Sequence, residues 1–202
     1  MEIRTLSPSG FAANCYLLRE GNDAVLIDCT ATVSDVQAAL QGATLHAVLL
    51  THGHFDHMLT TEQIRTRFNA PIYLHVNDET YPADGEKNAF SLFFGTARAY
   101  PLPDHTLRHD DHLRFGALTL DVTHVPGHTQ GCVLYRAGEA LFTGDTLFAA
   151  GVGRTDLYGG DPQKLLTSLD ALRALPRSLR IYPGHGEGTT LGAAIDRLSY
   201  YL

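Results

Sequence analysis

Histidine and aspartate residues gather on the turns that follow short apolar runs of this sequence, and this arrangement limits the folds that the chain can adopt. The run Ala47–Leu50 is followed at once by Thr51-His52-Gly53-His54-Phe55-Asp56-His57. Three later turns, each again following an apolar run, carry His128, Asp145 and His185. A common sheet edge would gather these seven side chains, so we predict a fold that brings the ends of its strands together.

The short apolar runs between turn residues are rich in Val, Ile, Leu and Tyr, which is typical of strands. The predicted strands are Cys15–Leu18, Ala24–Ile27, Ala47–Leu50, Ile72–His75, Leu118–Val125, Cys132–Arg136, Glu139–Phe142 and Arg180–Tyr182. Stretches with helical periodicity are Val33–Gln41, Met58–Phe68, Gln163–Leu175 and Leu191–Leu198. Thr32 and Asp161-Pro162 are good helix starts. Because strands come in consecutive groups with helices after each group, we predict a mixed α/β fold of two packed sheets with helices outside.

The size and composition are those of an ordinary globular protein. The chain has 202 residues, of which 44% are hydrophobic and 18% charged, and a chain of this length buries roughly 70% of its surface on folding. We expect one domain spanning residues 1–202. No apolar stretch approaches the length of a transmembrane helix, and Met1–Thr5 lacks the features of a secretory signal. Three cysteines without a Cys-x-x-Cys pair suit a reducing compartment, so we predict a cytoplasmic protein.

The charge balance indicates which partners the chain can have. The formal net charge is −7, and the lysines are limited to Lys87 and Lys164. There is no basic stripe to follow a phosphate backbone, which argues against a nucleic-acid partner. With no membrane segment either, a small molecule is the predicted partner, and no feature indicates an oligomeric state.

The clustered ligand types indicate metal chemistry. His52 and His54, two residues apart in an extended turn, can face one ion, and His57 lies next to Asp56, so the same loop can serve a second ion. Seven candidates are too many for one closed tetrahedral site, whereas two ions with open positions fit them. Imidazoles and carboxylates without thiolates suit Zn²⁺, Fe²⁺ or Mn²⁺ alike, and of these Zn²⁺ is the metal that we expect. A purely structural metal is disfavoured, since such sites are usually closed and rich in cysteine.

The order His-x-His-x-Asp-His, followed by His, Asp and His on later turns, resembles the metallo-β-lactamase superfamily across essentially the whole chain. The stretches that resemble its glyoxalase II-like branch are Pro126–Gly131, Thr143–Phe148, Gly151–Asp156 and Pro183–Gly186. This resemblance implies a four-layer αββα sandwich. Glyoxalase II proper also carries a C-terminal helical domain, but this sequence ends at Leu202, soon after His185. We therefore expect the short, single-domain form.

The resemblance also implies roles for individual residues. The implied ligands are His52, His54 and His128 for one ion and Asp56, His57 and His185 for the other. Asp145 would bridge the two ions. Asp28, at the end of Val25–Ile27, matches a position that orients a ligand loop from outside the metal shell. Arg154 matches the place where relatives hold a basic residue against the glutathione carboxylate.

By the same resemblance the function is that of a metal-dependent hydrolase cleaving thioesters of the hydroxyacylglutathione type. A metal pair lowers the pKa of bound water from 15.7 toward roughly 7, so a bridging hydroxide is available as nucleophile. The departing thiol has a pKa of about 8.5 and needs little acid help. No Ser or Cys nucleophile is then required. Asp56 could orient the water in addition to its ligand duty.

Other activities of the same fold remain open at this point. Gly153–Asp156 is also similar to a stretch in the persulfide dioxygenases, which use a single iron, here implied to be held by His54 or His52, His128 and Asp145. A lactonase is a further alternative. A flavodiiron protein is less favoured, since those relatives carry a Glu where His54 stands and need a flavin domain. A metal-binding module without catalysis is the remaining class.

The segment Val76–Asp111 has the least regular pattern of the chain. Its length without a clear strand predicts an excursion over a surface, which could act as a lid. Its aromatic residues are Phe90, Phe93, Phe94 and Tyr100. Local packing explains these side chains better than substrate contact does. The three cysteines, Cys15, Cys29 and Cys132, are expected to be buried small hydrophobic residues, with Cys29 close to the site.

Overall fold

The computed structural model describes residues 1–6 and 12–198. Its elements in the first half are β1 (Glu2–Leu6), β2 (Cys15–Glu20), β3 (Asp23–Ile27), α1 (Val33–Leu40), β4 (Thr44–Leu49), α2 (Thr61–Phe68), β5 (Ile72–His75), α3 (Phe90–Phe94) and β6 (His105–Leu107). Those in the second half are β7 (His112–Phe115), β8 (Leu118–His124), β9 (Val133–Ala137), β10 (Ala140–Gly144), α4 (Pro162–Leu172), β11 (Arg180–Pro183), β12 (Thr189–Thr190) and α5 (Leu191–Leu198). Short 3₁₀ turns lie at Phe55–His57 and Val76–Asp78.

The strands form two six-stranded sheets, one from each half of the described chain. The first sheet has the order β1-β2-β3-β4-β5-β6, and the second has the order β12-β11-β10-β9-β8-β7. The strands from β3 to β6 run parallel, as do β10 and β11. The carboxyl ends of these parallel strands therefore share one edge, where the ligand-type turns follow.

Three apolar cores separate four layers. The core between the sheets joins first-sheet residues such as Leu18, Ile27 and Leu49 to Val122 and Phe142 of the second sheet. The outer face of the first sheet packs against α1 and α2, and that of the second sheet packs against α4 and α5. Side chains alternate in burial along β8, as they must where one face meets the core. The predicted four-layer αββα sandwich is confirmed.

Helix starts follow the capping residues of the sequence. Thr32 accepts a hydrogen bond from the backbone of Asp35, and Asp161 accepts bonds from the first turn of α4, with Pro162 at the first helical position. The predicted start of α2 at Met58 was wrong by three residues, because Met58 closes the preceding 3₁₀ turn by bonding to the carbonyl of Phe55. No described helix is long and apolar enough to cross a bilayer.

Four strands have no counterpart among the predicted ones, namely β1, β6, β7 and β12. The strand β6 lies inside the segment Val76–Asp111, where the sequence pattern shows no clear strand. Two of the three residues of β6 are exposed, and β12 has only two residues. Strands of two or three residues carry too little hydrophobic alternation to be recognised in the sequence. They form because their backbone pairs with the edge of a longer strand, β5 for β6 and β11 for β12.

Candidate metal centre

The ligand-type turns of both sheets meet at one edge of the sandwich. The loop after β4 carries His52 and His54 and continues into the 3₁₀ turn Phe55–His57. The other turns follow β8, β10 and β11 of the second sheet. Backbone bonds join the two sides, since Val133 donates to the carbonyl of Thr51 over 2.9 Å. The sheets thus bring together side chains that the sequence separates widely.

Three imidazoles form what we call the imidazole group, composed of His52, His54 and His128. The Nδ1 atom of His54 lies 3.2 Å from Nε2 of His52 and 2.9 Å from Nε2 of His128. All three rings are buried. Nitrogen ligands around one tetrahedral Zn²⁺ are about 3.3 Å apart, given Zn–N distances of about 2.05 Å. The convergence of three nitrogen atoms at this spacing fits one metal ion.

A second cluster, the mixed group, consists of Asp56, His57 and His185. Oδ2 of Asp56 lies 3.2 Å from Nε2 of His185. His57 is fully buried, whereas the side chain of His185 is 37% exposed. The mixed group therefore faces solvent more than the imidazole group does, and it too presents ligand atoms to a common point.

Asp145 lies between the two groups. Its Oδ2 is 3.6 Å from Nε2 of both His128 and His185, and its Oδ1 is 3.3 Å from Nε2 of His57. One carboxylate thus faces members of both groups. Glycine at position 184 permits this arrangement, because a Cβ there would clash with Oδ1 of Asp145 and with the ring of His57.

Unpartnered polar atoms support a metal at this place. Nε2 of His57 and Oδ1 of Asp145 are buried and have no hydrogen-bond partner among the described residues, although they lie 3.3 Å apart. Buried polar atoms are almost always satisfied, so such a pair calls for a ligand. A divalent cation meets that need, and the donor set of imidazoles and carboxylates suits Zn²⁺, Fe²⁺ and Mn²⁺. The residues present therefore fit the metals that this arrangement implies.

The protonation states agree with metal binding. Burial lowers the pKa of His54 to about 3 and that of His52 well below its usual value, so both rings are neutral. Burial opposes ionisation of Asp145, but His57 in particular holds the pKa of that carboxyl below its usual range. The pKa of His57 is raised against the effect of burial by the carboxylates of Asp28, Asp145 and Asp56. A cation among these carboxylates would replace that proton.

Contacts from outside the cluster orient two of the imidazoles. Asp28 accepts from Nδ1 of His57 over 2.7 Å and from the backbone of Thr51 over 2.8 Å. It does so from a left-handed backbone conformation with φ +56°, which few residues other than glycine, asparagine and aspartate adopt. Nδ1 of His128 donates to the carbonyl of Arg154 over 2.7 Å. Each ring then presents Nε2 to the cluster, as metal-ligating histidines usually do.

Asp78 is a further contact that the sequence analysis did not single out. Its Oδ2 accepts from the backbone N–H of Gly53, over 3.0 Å, and from the hydroxyl of Thr129, over 2.6 Å. Gly53 lies between two ligand histidines, and Thr129 follows the third. Burial raises the pKa of Asp78 to about 6. The signal was present, because Asp78 also follows an apolar strand, three residues after its end.

The cluster opens into a cavity of about 310 Å³. One side of the cavity is formed by the ligand-type residues, and another is formed by Phe55, Ala89, Phe93 and Leu157. Arg154 also lines it, but the guanidinium group is paired with Asp156 through two hydrogen bonds of 2.6 and 2.8 Å. Arg154 therefore lines the cavity, but its charge is already partnered, and its contact with substrate stays a prediction.

The cysteines are buried as expected. Cys29 lies beside the cluster, since its backbone N–H donates to the carbonyl of His57 over 2.7 Å. Burial raises the pKa of the Cys29 thiol well above its usual value, and that of Cys15 to about 11. Neither forms the thiolate that nucleophilic chemistry requires. Both act as small core residues.

Comparison with known proteins places these features in a family. The metallo-beta-lactamase superfamily profile matches residues 8–185, which include all seven clustered side chains. A probable metallo-hydrolase, YqgX of Bacillus subtilis (strain 168), is 33% identical over 194 residues, covering 94% of this chain and 92% of YqgX. The hydroxyacylglutathione hydrolase of Aeromonas salmonicida (strain A449) is 36% identical over 180 residues, covering 84% of this chain but 59% of that enzyme.

Solved structures give the same result. The BLEG-1 B3 metallo-β-lactamase has a TM-score of 0.89 at 33% identity, with 96% of this chain and 97% of that chain covered. TTHA1623 in a di-iron-bound form has a TM-score of 0.80 at 38% identity, with 96% of both chains covered. ETHE1 from Myxococcus xanthus has a TM-score of 0.75 at 31% identity, with 95% of this chain and 80% of that chain covered. The chain belongs to the metallo-β-lactamase superfamily, a family of divalent-metal hydrolases.

Proposed function

We propose that this chain is a binuclear metallohydrolase that cleaves thioesters of the hydroxyacylglutathione type. The observation that carries the proposal is the position of Asp145, whose two carboxylate oxygens face the imidazole group on one side and the mixed group on the other. A single ion held by His54 or His52, His128 and Asp145 would leave the mixed group, which also faces Asp145, without a metal. The similarity to a hydroxyacylglutathione hydrolase supports the substrate class.

Each group would hold one ion. The imidazole group supplies three nitrogen atoms, and the mixed group supplies two imidazoles and the carboxylate of Asp56. Neither set fills every position that a catalytic metal uses, so room remains for water and substrate. Two bound divalent ions would lower the pKa of water toward roughly 7 and polarise the thioester carbonyl.

The residues of the chain itself position the reactants. The carboxylates of Asp145 and Asp56 line the cavity, where either can accept a hydrogen bond from a water molecule. Phe55 and Phe93 form an apolar side of the same cavity. A thiol leaves readily as the thiolate, because its pKa is about 8.5, so its departure requires no proton donor.

Zn²⁺ is the metal that we propose, with Fe²⁺ and Mn²⁺ as alternatives. The donor atoms are nitrogen and carboxylate oxygen, which all three metals accept. The di-iron form of TTHA1623, at 38% identity, makes iron the stronger of the two alternatives. Elemental analysis therefore belongs in the same experiment as the assay.

The test is metal analysis of protein purified without added metal, followed by assays of the same sample. S-Lactoylglutathione hydrolysis is measured first, then glutathione persulfide oxidation, and then hydrolysis of a lactone and of a β-lactam. We expect about two metal ions per chain and thioester hydrolysis as the fastest reaction. His54→Ala should lose both metal and activity, while His112→Ala, a change at an exposed histidine outside the two groups, should keep both.

A mononuclear iron persulfide dioxygenase is the second candidate, because Gly153–Asp156 resembles that branch. One iron per chain, with oxygen consumed only when glutathione persulfide is supplied, would replace the thioesterase proposal by this one. Hydrolysis of a β-lactam is also measured, because BLEG-1 is a B3 metallo-β-lactamase. Turnover of the β-lactam alone would likewise overturn the thioesterase proposal.

A further inference from the structure

The short helix α3 exposes an unusual amount of apolar surface next to the cavity. Within Phe90–Phe94, the side chains of Leu92, Phe93 and Phe94 are 67%, 48% and 51% exposed. Large hydrophobic side chains scattered singly need no explanation, but three in succession beside a site form a patch. Local packing explains Phe90, which stacks on Phe94 and contacts Phe55. Local packing does not account for Phe93 in the same way, because about half of this side chain is exposed.

Phe93 connects this patch to the metal centre. Its ring lies 5.6 Å from that of Phe55, and Phe55 is the residue between the ligands His54 and Asp56. Phe93, Phe55, Ala89 and Leu157 together line the cavity that the ligand groups also line. We call these four residues the aromatic wall. The wall is thus continuous with the place where the reacting carbonyl would lie.

The arginine beside the wall is already partnered. Arg154, which lines the cavity together with the ligand groups, is held by both oxygens of Asp156. An anionic substrate would have to take the guanidinium group away from that carboxylate. Binding free energy at this cavity therefore comes more readily from contact with the wall than from Arg154.

The cavity adjoins the ligand groups, where the thioester carbonyl would lie, and its volume of about 310 Å³ is at the lower end of ligand pockets. A whole acylated peptide thiol therefore extends beyond it, and the part inside is the carbonyl with the groups attached to it. Of these groups the acyl chain is apolar, whereas the peptide of the thiol is polar, so the acyl chain suits Phe93.

We infer that the aromatic wall binds the alkyl chain of the substrate's acyl group and favours thioesters in which that chain is longer, with or without a hydroxyl next to the carbonyl. This inference rests on the proposed thioesterase function and specifies its substrate class. Transfer of each methylene from water to an apolar site favours binding by about fourfold when burial is complete. Because Phe93 is half exposed, we expect about two- to fourfold per methylene at this wall.

The test compares acyl chains on one thiol. The kcat/KM values of wild-type, metal-loaded protein are measured with acetyl, butanoyl and hexanoyl thioesters of N-acetylcysteamine. From acetyl to hexanoyl, four methylenes should raise kcat/KM by about 15- to 250-fold. Phe93→Ala should reduce this ratio at least fivefold. Leu92→Ala, a more exposed change on the same helix that does not line the cavity, should keep the wild-type ratio.

A binding measurement separates this inference from the proposed function. Thioethers that carry a 2-oxoalkyl group on N-acetylcysteamine cannot be hydrolysed as thioesters, and calorimetry gives their Kd without turnover. If wild-type protein hydrolyses no thioester, the proposed function fails, and the analogues then decide the inference alone. Tighter binding of longer chains to wild-type protein but not to Phe93→Ala supports the wall. Affinity independent of chain length, or an equal loss in Leu92→Ala, overturns it.

Discussion

The imidazole group and the mixed group differ in their surroundings. The three histidines of the imidazole group are buried, and their loops are tied by Asp78 and by the carbonyl of Arg154. In the mixed group His185 is 37% exposed, and it faces the carboxylates of Asp56 and Asp145. Preorganised ligands bind metal more tightly, because less ordering accompanies binding. We therefore expect the imidazole group to hold its ion firmly and the mixed group to exchange its ion more readily.

The largest expected effect is that of removing the carboxylate between the groups. Asp145→Ala should reduce kcat more than 100-fold, beyond the roughly 10–100-fold typical of residues outside the metal shell. Bound metal should fall from two ions to about one per chain. Both groups lose a shared oxygen, and the mixed group, which holds its ion less firmly, should lose that ion. Asp170→Ala, at an exposed helix position, is the matched control. More than a tenth of the wild-type turnover in Asp145→Ala would exclude the bridging role.

Removing Asp28 should affect the mixed group more than the imidazole group. Asp28 contacts Nδ1 of His57 directly, whereas it reaches His52 only through the backbone of Thr51, so Asp28→Ala should weaken metal binding at the mixed group by up to about 100-fold and at the imidazole group by less. Metal-free protein is titrated with Co²⁺ and its absorption spectrum is followed; the weaker binding phase should shift further than the tighter one. A larger shift of the tighter phase would reverse the assignment of the two groups.

Asp78→Ala should have the opposite selectivity and a smaller effect. Asp78 holds the backbone of Gly53 and the hydroxyl of Thr129 rather than a ligand ring, so we expect about a tenfold loss of Co²⁺ affinity in the tighter phase. Thr129→Val removes one of the two bonds and should give part of that loss. Equal weakening of both phases would mean that Asp78 supports the fold as a whole.

The smallest effect is expected at Arg154. Because its guanidinium is half exposed and paired with Asp156, its net contribution to substrate binding should be about 1 kcal/mol, or about fivefold in KM. Arg154→Ala should raise KM for S-lactoylglutathione by that factor at unchanged kcat, and Asp156→Ala should lower KM by freeing the guanidinium. Steady-state kinetics of both variants decides whether Arg154 contacts substrate, since an unchanged KM in both would exclude it.

Sequence patterns predicted the elements that carry long hydrophobic alternation or a clear cap. The helices α1 and α4 begin where Thr32 and Asp161 indicate, and α5 matches its predicted bounds. Strands β6 and β12 were missed because three or two residues contain no periodicity of their own. Their conformation is imposed by pairing with β5 and β11, a contact between distant parts of the chain.

The sequence by itself determined which side chains are available and in what order, because ligand chemistry depends on residue type and on local spacing. It thereby indicated all seven members of the cluster. Only the tertiary structure decided the distances among them: His54 and His128 are 74 positions apart in sequence, yet their nitrogen atoms lie 2.9 Å apart. It also paired Arg154 with Asp156 and set Phe93 at the cavity. Exposure and long-range distance follow from the packing of two sheets, which local sequence does not specify.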